Sequence, residues 1–389
     1  TIFAGVDTSW NRVKGGKTIG VLLKAVEENF NFSNPSSHVT QLIKAYQLLQ
    51  NIEDKHWKNQ KSKELKSIIQ MCAGLYLEAS AESNWGTQGE PINLDIEVLN
   101  RSSLPMTLLS IKNAGALGVS KNIDLENNTR FIFKEVLKIS ANEPPTTPYW
   151  LNEKGTLGMY KVNDSNLIGL PETPRTQNVD FNILINNVPF TFTKSIVQRF
   201  SKPDKGELYR PFEIIPEASA KITENVIILD SDQQRDITVV VKAGRDNLEG
   251  DVEFRHPKDW SVFPKSQKVS ITHKGEEQIL IYTVIPPKNQ SEGYISPIIH
   301  IGDKDYTKEL IEIDYEHIPF QTVSLPSESK IVRLDIKKRG ENIAYIQGAG
   351  DVVPESLEQI GYNVRVLKPA DINPETLSRF DAIVLGVRA

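Results

Sequence analysis

Between residues 15 and 84, apolar side chains recur at helical spacing. Ile19, Leu22, Leu23, Val26 and Phe30 fall at i, i+3, i+4, i+7 and i+11, which is one face of an amphipathic helix. Asn34, Pro35, Ser36 and Ser37 interrupt that face and offer a cap for the next. Val39, Leu42, Ile43, Tyr46 and Leu49 repeat the pattern, and Leu65, Ile68, Ile69, Cys72, Leu75 and Tyr76 repeat it a third time. Cys72, on that third stripe, reads as a small core residue rather than a reactive thiol. The charged residues around 54–66 read as the solvated side of a helix.

From residue 86 the period falls to two. Ile92, Leu94, Ile96 and Val98 alternate with Asn93, Asp95 and Glu97, the signature of a half-buried strand. Val179, Phe181, Ile183 and Ile185 alternate likewise. Asn186-Asn187 then turns the chain into Phe190 and Phe192, because asparagine tolerates the left-handed backbone of tight hairpins. Residues 142–148, NEPPTTP, read as a loop. Strand-like runs at DITVVVKA, KVSITH, EQILIYTVIPP and ELIEIDY continue the theme after residue 204, with a turn expected at Gly302-Asp303.

Past residue 340 the pattern becomes strand, helix, strand, helix, strand. Pro354 lies in the first turn of one predicted helix and Gly361 at its end, while Asn373-Pro374 starts the next. Such an order opens a parallel α/β sheet. The expected fold is therefore multidomain and mainly β. It comprises a helical segment (1–84), two tandem immunoglobulin-like β-sandwiches (85–203 and 204–325) and the first half of a flavodoxin-like α/β unit (330–389).

Composition narrows the picture. The chain has 389 residues and a net charge of −5, from 45 Lys and Arg against 50 Asp and Glu. That balance argues against a nucleic-acid partner. No apolar run approaches the ~18–20 residues of a membrane-spanning helix. One cysteine cannot form an internal disulfide, which leaves the compartment unassigned. The opening at Thr1 and the closing run FDAIVLGVRA both suggest cuts through longer structure, so the expectation is an interior piece of a larger protein. An apolar edge left uncovered at Ala382–Leu385 would then make the chain prone to associate.

Two loops and one decoy carry candidate chemistry. Gly348, Gly350 and Asp351 follow a strand and precede a helix, where parallel sheets bind ligands. The third glycine of a dinucleotide fingerprint is replaced by Val353, and no phosphate-loop Gly-Lys-Ser or Gly-Lys-Thr follows. A tight strand-to-helix turn is the favoured reading, with a ligand loop as the alternative. The segment 4–16 lacks a regular period and gathers Asp7, Thr8, Trp10 and Arg12, which read equally as a ligand rim or an ordinary connection. HPKDW, at 256–260, resembles a His-Pro-Asp-Asp metal motif, but Lys258 replaces the first aspartate and none of the six histidines forms a close pair. That stretch is expected to place Trp260 in a sandwich core. No metal ligand, nucleophile or catalytic residue is assigned.

The segments IFAGVDTSWNRVKGGKTIGVLLKAVEENFNF and HWKNQKSKELKSIIQMCAGLYLEA resemble the C-terminal part of the deacetylase domain in large PIG-L/LmbE-like proteins of Bacteroidetes type. GEPINLDIEVLNRS and PYWLNEKGTLGMYKVNDSNLIGLPETP resemble the β-rich region that follows. HPKDWSVFP is similar to the sandwich modules called NEW3, and ENIAYIQGAGDVVPESLEQIGYNVRVL to the start of a glutamine-amidotransferase-like domain. The resemblance implies zinc-dependent hydrolysis of an N-acetyl group on an amino sugar or glycoconjugate. The family's metal motifs are absent here, so zinc is expected in a preceding catalytic domain and no cofactor in this chain. Asp7, Thr8, Trp10 and Arg12 would then rim the substrate cleft. The implied role is a non-catalytic section that positions the catalytic domain or binds glycan, in a periplasmic or cell-surface setting. Its implied partners are the preceding deacetylase domain and the remainder of the C-terminal domain. The alternative is a glycan-binding or adhesion protein of tandem sandwiches without enzymatic activity.

Overall fold

The computed structural model describes residues 2, 4–113, 119–153 and 155–389. Thr1 and Phe3 of the helical segment, and 114–118 and Lys154 of the first β-rich segment, lie outside the described residues. The chain is mainly β, with 43% strand against 17% helix, as the period-two alternation requires. It divides into two compact units. The first comprises Thr1–Pro144, Pro171–Ile214 and Glu316–Phe320; the second comprises Pro145–Leu170, Ile215–Tyr315 and Gln321–Ala389.

The first unit begins with helices α1 (Lys17–Glu28), α2 (Val39–Leu49) and α3 (Lys55–Cys72). Asp54 caps α3 by accepting the Trp57 N–H at 3.1 Å. The helical reading through residue 84 is corrected here: α3 stops at Cys72, and Leu75–Ala81 is strand β1. Gly74 causes the change. It adopts φ +64°, a left-handed conformation that ends helices, and its carbonyl accepts the Arg101 N–H at 2.9 Å. Leu75 and Tyr76 thus continue the apolar stripe of α3 only in sequence.

The remaining strands of this unit are β2 (Trp85–Gly86), β3 (Pro91–Asn100), β4 (Met106–Asn113), β5 (Val119–Asp124), β6 (Arg130–Lys138), β7 (Asn178–Ile185), β8 (Val188–Ser195), β9 (Val197–Lys202), β10 (Gly206–Pro211) and β11 (Glu213–Ile214). They form a five-stranded sheet in the order β10-β9-β1-β3-β6, a four-stranded sheet β5-β4-β7-β8, and a short β11-β2 pair. Asn186 and Asn187, at φ +48° and +62°, make the β7–β8 turn, as their residue type suggests. Ile19, Leu42 and Ile69 of the helices share one core with Leu94 and Ile96 of β3 and Phe181 of β7. Each fully buried side chain of this kind contributes roughly 1.5–3 kcal/mol, so the helices are held by the sheets rather than by their own propensity.

The second unit contains β12 (Ala218–Ile222), β13 (Val226–Leu229), β14 (Arg235–Ala243), β15 (Leu248–Arg255), β16 (Ser261–Phe263), β17 (Ser266–Ile271), β18 (Glu277–Ile285), β19 (Ser291–Ile301), β20 (Lys304–Tyr306), β21 (Lys308–Ile313), β22 (Gln321–Pro326) and β23 (Ser329–Arg333). One sheet runs β12-β14-β18-β16. A second runs β13-β23-β19-β15-β17, with β20 paired to β19, and β21-β22 is a separate ribbon. Trp260 and Tyr282 are fully buried in the core of this unit, and each polar end finds a partner. Trp260 Nε1 donates to Ser291 Oγ at 3.1 Å, and the Tyr282 hydroxyl donates to the Val252 carbonyl at 2.6 Å.

The same unit ends in β24 (Asn342–Ile346), α4 (Val353–Gln359), β25 (Asn363–Leu367), α5 (Pro374–Leu377) and β26 (Ala382–Leu385). These strands form a parallel sheet in the order β25-β24-β26. Gly361 ends α4 at φ +88°, and Asn373 Oδ1 caps α5 by accepting the Thr376 N–H at 2.9 Å. The Gln359 carboxamide oxygen on α4 accepts the Ile228 N–H of β13 at 2.9 Å. Ile383 and Leu385 on the edge strand β26 are exposed.

Candidate functional site

A cluster of titratable groups lies on one face of the five-stranded sheet. Alternation puts Glu78 of β1 and Glu97 of β3 on this face, and the register sets them directly opposite each other. Two carboxylates at such a position repel one another, and both are buried. Arg199 of β9 resolves the conflict: its Nη1 lies 3.1 Å from Glu78 Oε1 and 3.4 Å from Glu97 Oε2. Arg130 of β6 reaches Glu97 Oε2 from the other side at 2.5 Å. The Arg130 hydrogen bond, helped by its charge and by Arg199, holds the Glu97 carboxyl below its ordinary range despite burial.

Two phenols complete the cluster. The Tyr76 hydroxyl donates to Glu78 Oε2 at 2.5 Å, and the Tyr209 hydroxyl donates to Glu207 Oε1 at 2.5 Å. Burial, followed by the bond to Glu78, raises the Tyr76 pKa, and the bond to Glu207 raises that of Tyr209. Both phenols therefore remain protonated donors near neutral pH. With its charges compensated, the face offers directed hydrogen bonds rather than a nucleophile or a free base.

A cleft of about 490 Å³ opens beside Arg199. Ser80, Glu82, Asn93, Asp95 and Lys134 share its wall. Lys134 Nζ sits 2.6 Å from Asp95 Oδ1, and Asn93 Nδ2 donates to Glu82 Oε1 at 3.2 Å. These pairs fix the side chains and leave further donor and acceptor capacity. The cleft wall thus presents carboxylate, carboxamide and ammonium groups, a mixture of hydrogen-bond donors and acceptors.

None of the candidate site residues named from the two loops belongs to this face. Thr8, Trp10 and Arg12 instead line a small cavity of about 110 Å³ with Trp57 and Lys61. Arg12 stacks on Trp57, its Cζ 4.0 Å from the ring centroid. Trp10 packs against α1, where a Cβ on Gly20 would come within 2.9 Å of Trp10 Cβ. Asp7 is tied down locally: its carboxylate accepts both the hydroxyl and the N–H of Ser9, which hold its pKa low. The 4–16 segment thus leads into α1 with Trp10 and Val13 turned toward the protein and Asp7, Thr8 and Arg12 exposed.

The Gly348–Asp351 turn is also accounted for by local packing. A Cβ on Gly348 would meet the Val387 carbonyl oxygen at 2.0 Å, and the Ala349 N–H donates to that oxygen at 2.8 Å. Gly350 is left-handed at φ +81°. Asp351 accepts the buried Tyr345 hydroxyl at 2.6 and 2.7 Å, which pushes the phenol up to about 12, and it also accepts the Val353 N–H. His256 is exposed, with Nδ1 3.0 Å from the Pro257 carbonyl oxygen. Cys72 is half-buried against the core, and burial raises its pKa. Sequence reasoning had Asn93, Asp95 and Glu97 in view as the polar half of one strand. What it lacked was the pairing that sets Glu78 opposite Glu97, which depends on locating β1.

No family model matches the chain, and no curated protein matches it in sequence. Among solved structures, a Salmonella alpha-2-macroglobulin reacted with methylamine is similar at 10% identity and TM-score 0.23, over 67% of this chain and 16% of that one. A C. elegans MSP family member covers 30% of this chain and 97% of its own, at 8% identity and TM-score 0.17. A Porphyromonas gingivalis protein of unknown function covers 67% and 99%, at 9% identity and TM-score 0.15. The chain thus spans only a small part of the macroglobulin.

Proposed function

We propose that this chain is a non-catalytic accessory section of a zinc-dependent N-acetyl deacetylase of the PIG-L/LmbE-like type, and that it binds the glycan on which such an enzyme acts. In this reading the β-rich segments are two immunoglobulin-like sandwiches and the C-terminal segment is the opening of a flavodoxin-like, amidotransferase-like domain. The zinc and the catalytic base belong to a preceding domain, and this chain supplies none of the reacting groups. The segment resemblances described above support the family. The polar cleft beside Arg199 is the observation that carries the glycan role.

Within the cleft, Asn93 and Lys134 are the groups placed to meet sugar hydroxyls, while Arg199 keeps the buried carboxylates compensated. Calorimetric titration of the full chain with oligomers of N-acetylglucosamine tests the reading. Saturable binding is expected, weakened about fivefold in Asn93→Ala and again in Lys134→Ala, the loss of one hydrogen bond worth ~1 kcal/mol each. Absence of binding by the folded chain, or binding by both variants as tight as that of the unaltered chain, would sink the glycan role. Binding of neutral glucose oligomers as tightly as the N-acetylated series would favour an adhesion protein over a deacetylase accessory.

A further inference from the structure

Strand register lays the floor of the cleft beside Arg199 in two rows. Ser80, Asp95 and Lys134 make one row across β1, β3 and β6, since Ser80 pairs with Asp95 and Asp95 with Lys134. Two residues along, Asn93 pairs with Val136, and Asn93 Nδ2 reaches Glu82 Oε1 at 3.2 Å. Glu82 follows directly on β1, so Glu82, Asn93 and Val136 make the second row.

Charge is matched everywhere on this wall except at Glu82. Lys134 Nζ lies 2.6 Å from Asp95 Oδ1, and Lys121 holds Glu135 at 2.9 Å. Arg199 is shared by the buried Glu78 and Glu97. Glu82 lines the cleft with an exposed side chain, and among the described residues its carboxylate has the Asn93 amide as partner and no cation. Lys134 stands two strands and one row away, about 12 Å between Cα atoms by sheet spacing, so it serves Asp95 and not Glu82.

The row therefore asks for a particular kind of donor. By donating to Glu82, the Asn93 carboxamide is oriented and keeps Oδ1 as an acceptor, and a carboxylate has acceptors alone. Two acceptor groups side by side, one of them charged, match an ammonium, which has three N–H donors and no acceptor. An N-acetyl amide offers a single uncharged N–H. A uronic acid would set a second carboxylate against the first. Val136, 58% exposed in the same row, gives the C–H face of a sugar ring an apolar surface to lie on.

We propose that the cleft prefers a free 2-amino sugar to its N-acetyl form, with the sugar ammonium on the Glu82 carboxylate and Asn93 Oδ1. The inference rests on the glycan reading of this cleft and sharpens it: the chain holds the deacetylated product in preference to the acetylated substrate. Glu82 is then a specificity residue and takes no part in breaking the amide bond.

The full chain would be titrated calorimetrically at pH 6, where a sugar amine is protonated, with the N-acetylglucosamine trimer and with the glucosamine trimer. The glucosamine trimer should bind about three- to fivefold more tightly, the upper range for one exposed ion pair. That margin should shrink at about 1 M salt. Glu82→Gln keeps the shape and an acceptor for Asn93, and it should bring the two affinities together. Glu249→Gln removes an exposed carboxylate from β15 of the other unit and should leave the margin intact. The inference is overturned, with the glycan reading still standing, if the N-acetylated trimer binds as tightly as the free amine or more tightly. It is also overturned if Glu82→Gln retains the margin, or if Glu249→Gln removes it, which would trace the preference to net charge. Saturable binding of neither trimer removes the inference and the glycan reading together.

Discussion

Gly20 illustrates how a single residue in this chain answers to tertiary packing rather than to its own element. In an exposed helix interior, Gly to Ala is worth about 1 kcal/mol in favour of alanine. Here the added methyl would lie 2.9 Å from Trp10 Cβ, an atom fixed to the backbone and unable to swing aside. Overpacking of this kind typically costs about 1–3 kcal/mol. Gly20→Ala should therefore lower the melting temperature despite its better helix propensity, and a thermal melt checks the sign.

Glu97 gives the corresponding prediction for pH. Its folded pKa lies below the ordinary value of 4.5 because Arg130 and Arg199 bind the carboxylate form. The stabilisation is therefore present above that value and is lost as pH falls through the lower folded pKa. Denaturant unfolding measured from pH 6 down to pH 3 should show falling stability, and Glu97→Gln should flatten that limb. An unchanged slope would mean that other carboxylates govern it.

At the scale of elements, legibility followed locality. The Asn186-Asn187 hairpin, the Pro354 and Gly361 bounds of α4 and the Asn373 cap of α5 are local chemistry, and each sits where the residue types place it. The boundary at Gly74 was missed because Leu75 and Tyr76 continue the spacing of α3 by coincidence. The glycine itself was the available signal. At 348 and 350 the favoured reading is a tight turn, and the geometry there is that of one: Gly348 lies close under the Val387 carbonyl and Gly350 is left-handed. The charged face was legible only as the polar half of β3, since its partners Glu78, Arg130 and Arg199 come from strands that only pairing brings beside it.

The edge strand β26 yields an elemental prediction. Ile383 and Leu385 point the same way and are exposed on a strand with an open hydrogen-bonding edge, an arrangement that invites pairing between molecules. Leu385→Lys should reduce self-association in light scattering while changing stability by less than about 0.5 kcal/mol, the usual effect of a surface substitution. Unchanged association would place the sticky surface elsewhere.

At the scale of the molecule, the two units have separate cores, and each can lose its structure on its own terms. Unfolding in urea should depart from a single two-state transition. Phe181 is fully buried in the first core, so Phe181→Ala should cost about 3–5 kcal/mol in one transition and leave the other in place. A uniform shift of both would mean that the units unfold together. The mainly-β character was legible across the whole length because alternation is a local pattern. The assignment of Pro145–Leu170 to the second unit and Glu316–Phe320 to the first was not, because no local signal records which core a connecting segment joins.

The pairing of Glu78 with Glu97 has a consequence in time as well as in space. The guanidiniums that reconcile the two carboxylates both come later in the chain: Arg130 of β6 meets Glu97, and Arg199 of β9 meets both. Along the chain, and so in the order of synthesis, the charge that bridges the two carboxylates comes last of the four.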